Sequence, residues 1–241
     1  MTIPALAALF RGPLEPFADS LTLAPAADAR PASHLLDRAA LRDLIDRLAR
    51  SYGDGDRRAV ASIWSRHHFA TLMPATLAAN LLLDVELPVA LDSAAIVADP
   101  EGRTRRIALR DAGAPFAPGR AETRFDLLID DHLEPLIEAL AAVSRASPKV
   151  FWSNAGNVFD YVVHEAAKLG AAPAAVEIGL RLMSERYRGG RPNPLHAPMR
   201  RSADGRRLRR VCCVRYLAPG VGYCGACPIT PREAARSEPS A

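Results

Sequence analysis

Residues 85–110 read VELPVALDSAAIVADPEGRTRRIALR, and this stretch decides the fold class. Around it, apolar residues return every three or four positions, the spacing of amphipathic helices. Within it they gather into short runs. VELPVAL (85–91), AAIVA (94–98) and RRIALR (105–110) read as strands, and Asp99-Pro100-Glu101-Gly102 supplies the turn of a hairpin. RFDLLI (124–129) is strand-like too and is expected to extend the sheet. The expectation is an α+β chain, mostly helical, with a small antiparallel sheet and a cysteine-rich C-terminal tail.

Working outward, Ser33 is expected to cap a helix whose face is Leu41, Leu44, Ile45, Leu48 and Tyr52, ending at Gly53. Asp56 caps the next, with Val60, Ile63, Trp64 and His67 on one side. Pro74 should interrupt it, leaving Leu77 to Leu83 as a separate helical piece. After the sheet, Asp130 or Asp131 caps a helix with Leu133, Leu136, Ile137, Leu140 and Val143 on its apolar face. Ser147-Pro148 starts another, KVFWSNAGNVFDYVVHEAAKL (149–169), which stops at Gly170. Phe151, Ala155, Val158, Val162, Ala166 and Leu169 share its apolar face; Asn154, Asn157, Tyr161, His164 and Lys168 share the other. Pro173 opens a last helix with Val176, Leu180, Met183 and Tyr187 at core spacing, closed by Gly189-Gly190. The implied organisation is an irregular lead-in (1–32), a helical and sheet body (33–190), a loop with the cysteine segment (191–230) and a disordered tail (231–241).

A chain of 241 residues that is 49% hydrophobic can bury a full core. It has no run of about 18 apolar residues, the minimum for a membrane helix. The apolar N-terminus has no basic residue before it and is broken by Arg11, Pro13 and Glu15, so no secretory signal is read there. The expected location is the cytoplasm, with at most peripheral membrane association. The net charge of +4 is carried almost wholly by arginine, since Lys149 and Lys168 are the only lysines. Arginines cluster at Arg200, Arg201, Arg206, Arg207, Arg209 and Arg210. No aromatic residue interleaves them, which argues against nucleic acid and for a solvated face.

All four cysteines fall within sixteen residues, as C-C-x10-C-x2-C at Cys212, Cys213, Cys224 and Cys227. Three uses compete. Disulfides suit secreted chains, and vicinal Cys212 and Cys213 bridge each other only with strain. Structural zinc also takes four thiolates, and Cys224-Gly-Ala-Cys227 is a normal zinc knuckle half, but zinc usually takes two spaced pairs; the alternative function is a zinc-stabilised binding module, for nucleic acid through the neighbouring arginines. An iron–sulfur cluster takes four thiolates at more varied spacing, and a proline such as Pro228 commonly follows the last one. The residues favour the cluster and leave the other two open. His67-His68 diverge on a helix and His164-Glu165 lacks a second ligand, so neither is read as a metal site. Trp152 is read as core.

The run RRLRRVCCVRYLAPGVGYCGACP, Arg206 to Pro228, resembles the tail of the FhuF-type siderophore-iron reductase family, and FWSNAGN, Phe151 to Asn157, resembles a Trp-x-Asn segment of the same family. Arg209 or Arg210 before the cysteine pair and Tyr216 after it are similar as well. The resemblance implies a [2Fe-2S] cluster on Cys212, Cys213, Cys224 and Cys227, and a ferric siderophore as substrate. It also implies one-electron reduction of chelated Fe³⁺. No G-x-G-x-x-G follows a strand, so electrons are expected from a separate donor such as a ferredoxin or flavin reductase. No acid–base residue is assigned. Asn154 and Asn157 are candidates for a siderophore pocket, against the alternative of local helix-start bonding. Arg206, Arg207 and Arg215 are candidates for a basic rim that attracts anionic chelates. The competing reading is a fold relative of siderophore synthetase C-terminal domains with a structural or sensory cluster.

Overall fold

The structure is a computed structural model that describes residues 12–23, 27–117 and 119–229. A 3-10 turn, Gly12–Phe17, leads to β1 (Leu21–Thr22) and β2 (Arg30–Pro31). The helix α1 runs Arg38–Arg50. Its cap is Asp37, whose carboxylate accepts from the amides of Ala39 (2.9 Å) and Ala40 (2.8 Å). Ser33 instead lies in a separate 3-10 turn, Ala32–Leu36, because Asp37 is better placed to satisfy the first free amides.

The central element is α2, Arg57–Leu83, capped by Asp56 as expected. It runs unbroken through Pro74, where an interruption was expected. A proline inside a helix costs about 3 kcal/mol. Here the residues around it, Leu72 to Leu81, are all buried, and their burial outweighs one lost hydrogen bond. Then come β3 (Val85–Glu86), β4 (Ala94–Ala98), β5 (Thr104–Leu109) and β6 (Ala114–Pro115). The β4–β5 hairpin forms as read, antiparallel, with Ile96 opposite Ile107. The main sheet has the order β1-β5-β4-β2, with β2 antiparallel on one edge and β1 parallel on the other. VELPVAL contributes only the two residues of β3, which pair with β6 outside that sheet.

The stretch 124–129 is helical, not a strand. It passes through α3 (Asp126–Leu128) and a π turn (Ile129–Leu133) into α4 (Glu134–Ser144). The reason is periodicity masked by local apolar density. Phe125, Leu128, Ile129 and Leu133 are buried at helical spacing, while Asp126 and Asp130, four apart, both bind Arg188 at 2.5 Å. Asp130 and Asp131 therefore lie within the π turn and cap nothing. Next come α5 (Pro148–Lys168), capped by Ser147, and α6 (Pro173–Ser184). Leu169, Leu180 and Tyr187 are exposed: Leu169 and Tyr187 lie beyond the ends of α5 and α6, and Leu180 lies on the outer side of α6, whose buried face is Ala175, Val176, Ile178, Gly179, Leu182 and Met183. Tyr187 belongs to β7 (Tyr187–Arg188), which pairs with β8 (Arg191–Pro192) across Gly189-Gly190. A second ribbon, β9 (Met199–Arg201) and β10 (Arg207–Arg209), carries the chain to the cysteines. The expected tail 231–241 lies outside the described residues.

Helix α2 packs most extensively on α5, with β5, α1 and α4 around it. Trp64, fully buried, donates from Nε1 to the Gly102 carbonyl (2.8 Å). Gly102 has φ +86°, and a Cβ there would lie 2.4 Å from the Leu44 carbonyl oxygen, so the hairpin turn can back onto α1 only with glycine.

Stacked on Trp64 is His68, whose Nε2 lies 2.9 Å from Nε2 of His132. The partners settle both tautomers. Nδ1 of His132 faces the Val89 carbonyl (2.5 Å) and must donate, leaving its Nε2 as acceptor. His68 then donates from Nε2, and its Nδ1 accepts from the Thr104 hydroxyl (2.8 Å). Burial holds His68 well below the usual imidazole pKa and His132 at about 4. Unfolding therefore takes up protons between pH 6.5 and 4, so stability rises with pH across that window. The expected slope is about 1.4 kcal/mol per pH unit for each imidazole that charges. Denaturant unfolding at pH 7, 5.5 and 4.5 should show this loss, and a flat profile would mean the pair is already charged in the fold.

Candidate metal centre

The cysteine segment is bolted to the body through uncharged groups and one arginine. From α2, Ser62 donates to the Cys213 carbonyl (2.5 Å). From α5, Ser153 donates to the Val211 carbonyl (2.7 Å). Between them lies Asn154, 1% exposed, whose amide nitrogen contacts the Ser62 carbonyl and hydroxyl (3.1 and 3.0 Å) and the Ser65 hydroxyl (2.9 Å). Its oxygen accepts from Nη1 of Arg209 (2.6 Å), which also donates to the Ser153 carbonyl (3.0 Å). The backbone amide of Arg209 donates to the Ala226 carbonyl (2.8 Å), tying β10 to the Cys224–Cys227 turn. Two close approaches complete the seat. A Cβ on Gly156 would meet Pro198 at 2.5 Å, and one on Gly55 would meet Pro219 at 2.3 Å. Bare backbone lets the loops before and within the cysteine segment lie against α5 and the start of α2.

None of the four cysteines is in a disulfide; Cys213, Cys224 and Cys227 are buried and Cys212 is partly exposed. The sulfurs of Cys213 and Cys224 are 3.7 Å apart, and the charges of Cys212 and Cys227 act on each other. A separation of 3.7 Å is too long for a disulfide, about 2.05 Å. It matches the edge of about 3.8 Å that metal–sulfur bonds of ~2.3 Å give in a tetrahedron. Among the described residues no group of three or more His, Cys, Asp or Glu converges on a single ion. The four thiols pack together as one small cluster, and four soft thiolates at this spacing suit two irons with bridging sulfide. The donor set thus fits a [2Fe-2S] cluster.

The hydrogen bond shared with Cys224 pulls the Cys213 thiol down to about 5, with Arg209 and Arg66 helping. The same bond pushes Cys224 up, and burial pushes Cys212 up to about 11. Ligation needs all four as thiolates, so metal binding releases protons.

The other expected site residues fall into two groups. Asn154 and Asn157 serve the fold. Asn154 is fully engaged and inaccessible, while Asn157 accepts from Arg207 (2.9 Å), which also binds Asp160 (2.7 Å). Arg206 is exposed with Arg200, Arg201 and Arg210, and Arg215 donates to the Gly222 carbonyl (2.8 Å). The arginine run is therefore divided, with four side chains in solvent and Arg207 and Arg209 turned inward. Sequence reasoning missed Ser62, Ser65 and Ser153. The available signal was two serines three apart on the buried stretch of α2. It also missed the His68–His132 pair, since residues 64 apart carry no local signature.

Fold and thiols together define a helical protein with an iron–sulfur centre in its C-terminal segment. Residues 62–208 match the family described as ferric iron reductase FhuF-like transporter, and residues 209–228 match the FhuF 2Fe-2S C-terminal domain. The chain belongs to the FhuF family, and its cofactor is a [2Fe-2S] cluster. It is 26% identical over 178 residues to the ferric siderophore reductase of Escherichia coli (strain K12), covering 72% of this chain and 67% of that protein. Aerobactin synthetase IucA from a hypervirulent pathotype of Klebsiella pneumoniae resembles it in fold. The ATP-bound structure gives a TM-score of 0.52 at 12% identity, over 70% of this chain and 37% of that one. A second structure of IucA gives 0.51 at 13% identity, over 70% and 38%. The chain thus spans well under half the length of the synthetase, and that likeness concerns fold alone.

Proposed function

We propose that this chain is a cytoplasmic ferric-siderophore reductase, with Cys212, Cys213, Cys224 and Cys227 as the cluster ligands. The observation that carries the reading is the clustering of four unbridged thiols, seated on the body by Ser62, Ser153 and Asn154, with Cys212 at the surface. When bound, the cluster supplies one electron at a low potential. Hard oxygen donors hold Fe³⁺ far more tightly than Fe²⁺, so a siderophore that gains one electron loosens its iron. The electron comes from a separate donor, such as a ferredoxin or flavin reductase. No helix among the described residues is long and apolar enough to cross a membrane.

The test is anaerobic purification with iron and acid-labile sulfide analysis, then mixing of the reduced protein with ferric chelates. The expected result is two irons and two sulfides per chain and reoxidation at a rate that saturates with chelate, with Fe²⁺ captured by a ferrous chelator. One stoichiometric zinc in a colourless protein would overturn the cluster, and a rate indifferent to chelate would overturn the substrate.

The exposed arginines make a separate expectation. Replacing Arg200 and Arg206 together by Ala should slow reaction with an anionic ferric chelate by roughly tenfold at low salt and leave a neutral one unchanged. Added salt should close the gap, because the Debye length falls from about 10 Å at 0.1 M to about 3 Å at 1 M. If electron delivery from the donor protein slows instead, these arginines are its docking face.

A further inference from the structure

Among the described residues, three other arginines drawn in from the surface are paired with acids. Arg124 binds Asp84, Arg188 binds Asp126 and Asp130, and Arg207 binds Asp160. Arg209 differs. It is 2% exposed, and both acceptors of its Nη1 are neutral oxygens. Its Nε is buried with no hydrogen-bond partner. A guanidinium cannot shed its proton to escape this, and an unpaired buried charge is costly. Burial works against its charge, as do the neighbouring Arg66 and Arg207, and the sulfurs of Cys213 and Cys224 are the groups that favour it. Its own backbone amide holds the Cys224–Cys227 turn through Ala226. The missing anion is therefore on the cysteine side.

We propose that Arg209 is a positioning residue whose uncompensated charge sets the redox potential of the cysteine centre and strengthens its hold on the cluster. This rests on the cluster reading above. Iron and sulfide bound by four thiolates are net negative, and more so by one charge after reduction. A fixed buried cation therefore favours the reduced form, and Arg209 raises the potential. It also explains why Asn154 is an amide: a carboxylate at that position would neutralise Arg209 and remove its influence.

The experiment is an anaerobic redox titration of the loaded protein, followed by visible and electron paramagnetic resonance spectra, for wild type, Arg209→Met, Arg209→Lys and Asn154→Asp. Arg209→Met should shift the reduction equilibrium at least tenfold towards the oxidised form, about 59 mV for one electron. Arg209→Lys should keep most of the wild-type value. Asn154→Asp, which leaves the arginine in place but pairs it, should fall in the same direction as Arg209→Met and gives the same test if Arg209→Met does not fold. Iron extraction by a chelator should be at least tenfold faster in Arg209→Met. A purified chain with no iron and sulfide overturns both readings. A loaded Arg209→Met or Asn154→Asp protein with an unchanged potential overturns this one alone and leaves Arg209 as packing.

Discussion

Exchanging any one of Cys212, Cys213, Cys224 or Cys227 for Ser should bleach the purified protein while leaving its helices intact. A serine hydroxyl is a hard, weakly acidic donor where iron and sulfide demand a soft thiolate, so retention of metal should fall by well over tenfold. The helix signal should survive because the apolar core spans residues 21 to 218 and is separate from the thiols, which form a small cluster of their own. The double replacement Cys212→Ser, Cys213→Ser should therefore abolish reduction of ferric chelates with most far-ultraviolet ellipticity kept. Iron and sulfide content measured beside circular dichroism decides the matter. Collapse to an unfolded spectrum would make the cluster a folding element.

Asn154→Ala should be the most damaging change outside the cysteines. One amide satisfies the Ser62 and Ser65 side chains, and with them the arginine that anchors β10. Deleting it leaves Arg209 with a single acceptor in a site closed to water. A hydrogen bond to a charged group contributes about 1.5–3 kcal/mol, and the unsatisfied serine groups add to that loss. A domain of this kind is stable by only about 5–15 kcal/mol. The expected result is a large drop in the denaturant midpoint together with poor cluster incorporation, since Ser62 also loses its guide to the Cys213 carbonyl. By comparison Asn157→Ala, which relieves only the half-exposed Arg207, should cost about 1 kcal/mol. Equal losses in both variants would mean that the network beneath the cysteines is no more than surface bonding.

Bleaching alone does not separate a reductase cluster from a structural or sensory one; reoxidation does. A structural or sensory cluster would share the Cys→Ser bleaching but would not reoxidise with a rate that saturates with ferric chelate. The fold likeness to aerobactin synthetase does not choose between them, because it says nothing of the cysteine segment's chemistry.

Much was legible in the chain itself. Turn residues at Asp99 to Gly102 and the flanking alternation specify the β4–β5 hairpin locally, as Asp56 and Ser147 specify two helix starts. The four cysteines announce a thiolate centre because soft ligands at close spacing have few other uses. What tertiary structure alone decided are features that need two distant segments. Pro74 stays inside α2 because burial on all sides outweighs a missing hydrogen bond. Residues 124–129 are helical because Arg188, far along the chain, holds Asp126 and Asp130 on one face. The arginine row reads as one charged face, yet β10 and α5 turn Arg207 and Arg209 inward and leave their neighbours in water. Asn154 reads as a polar-face residue, because a helical wheel cannot show that the serines of α2 and the chain entering the cysteines cover that face. Composition and periodicity set which side chains seek burial and which metals the thiols prefer; only packing between segments sets which polar groups lose water, and there a hydrogen bond or a charge has its largest effect.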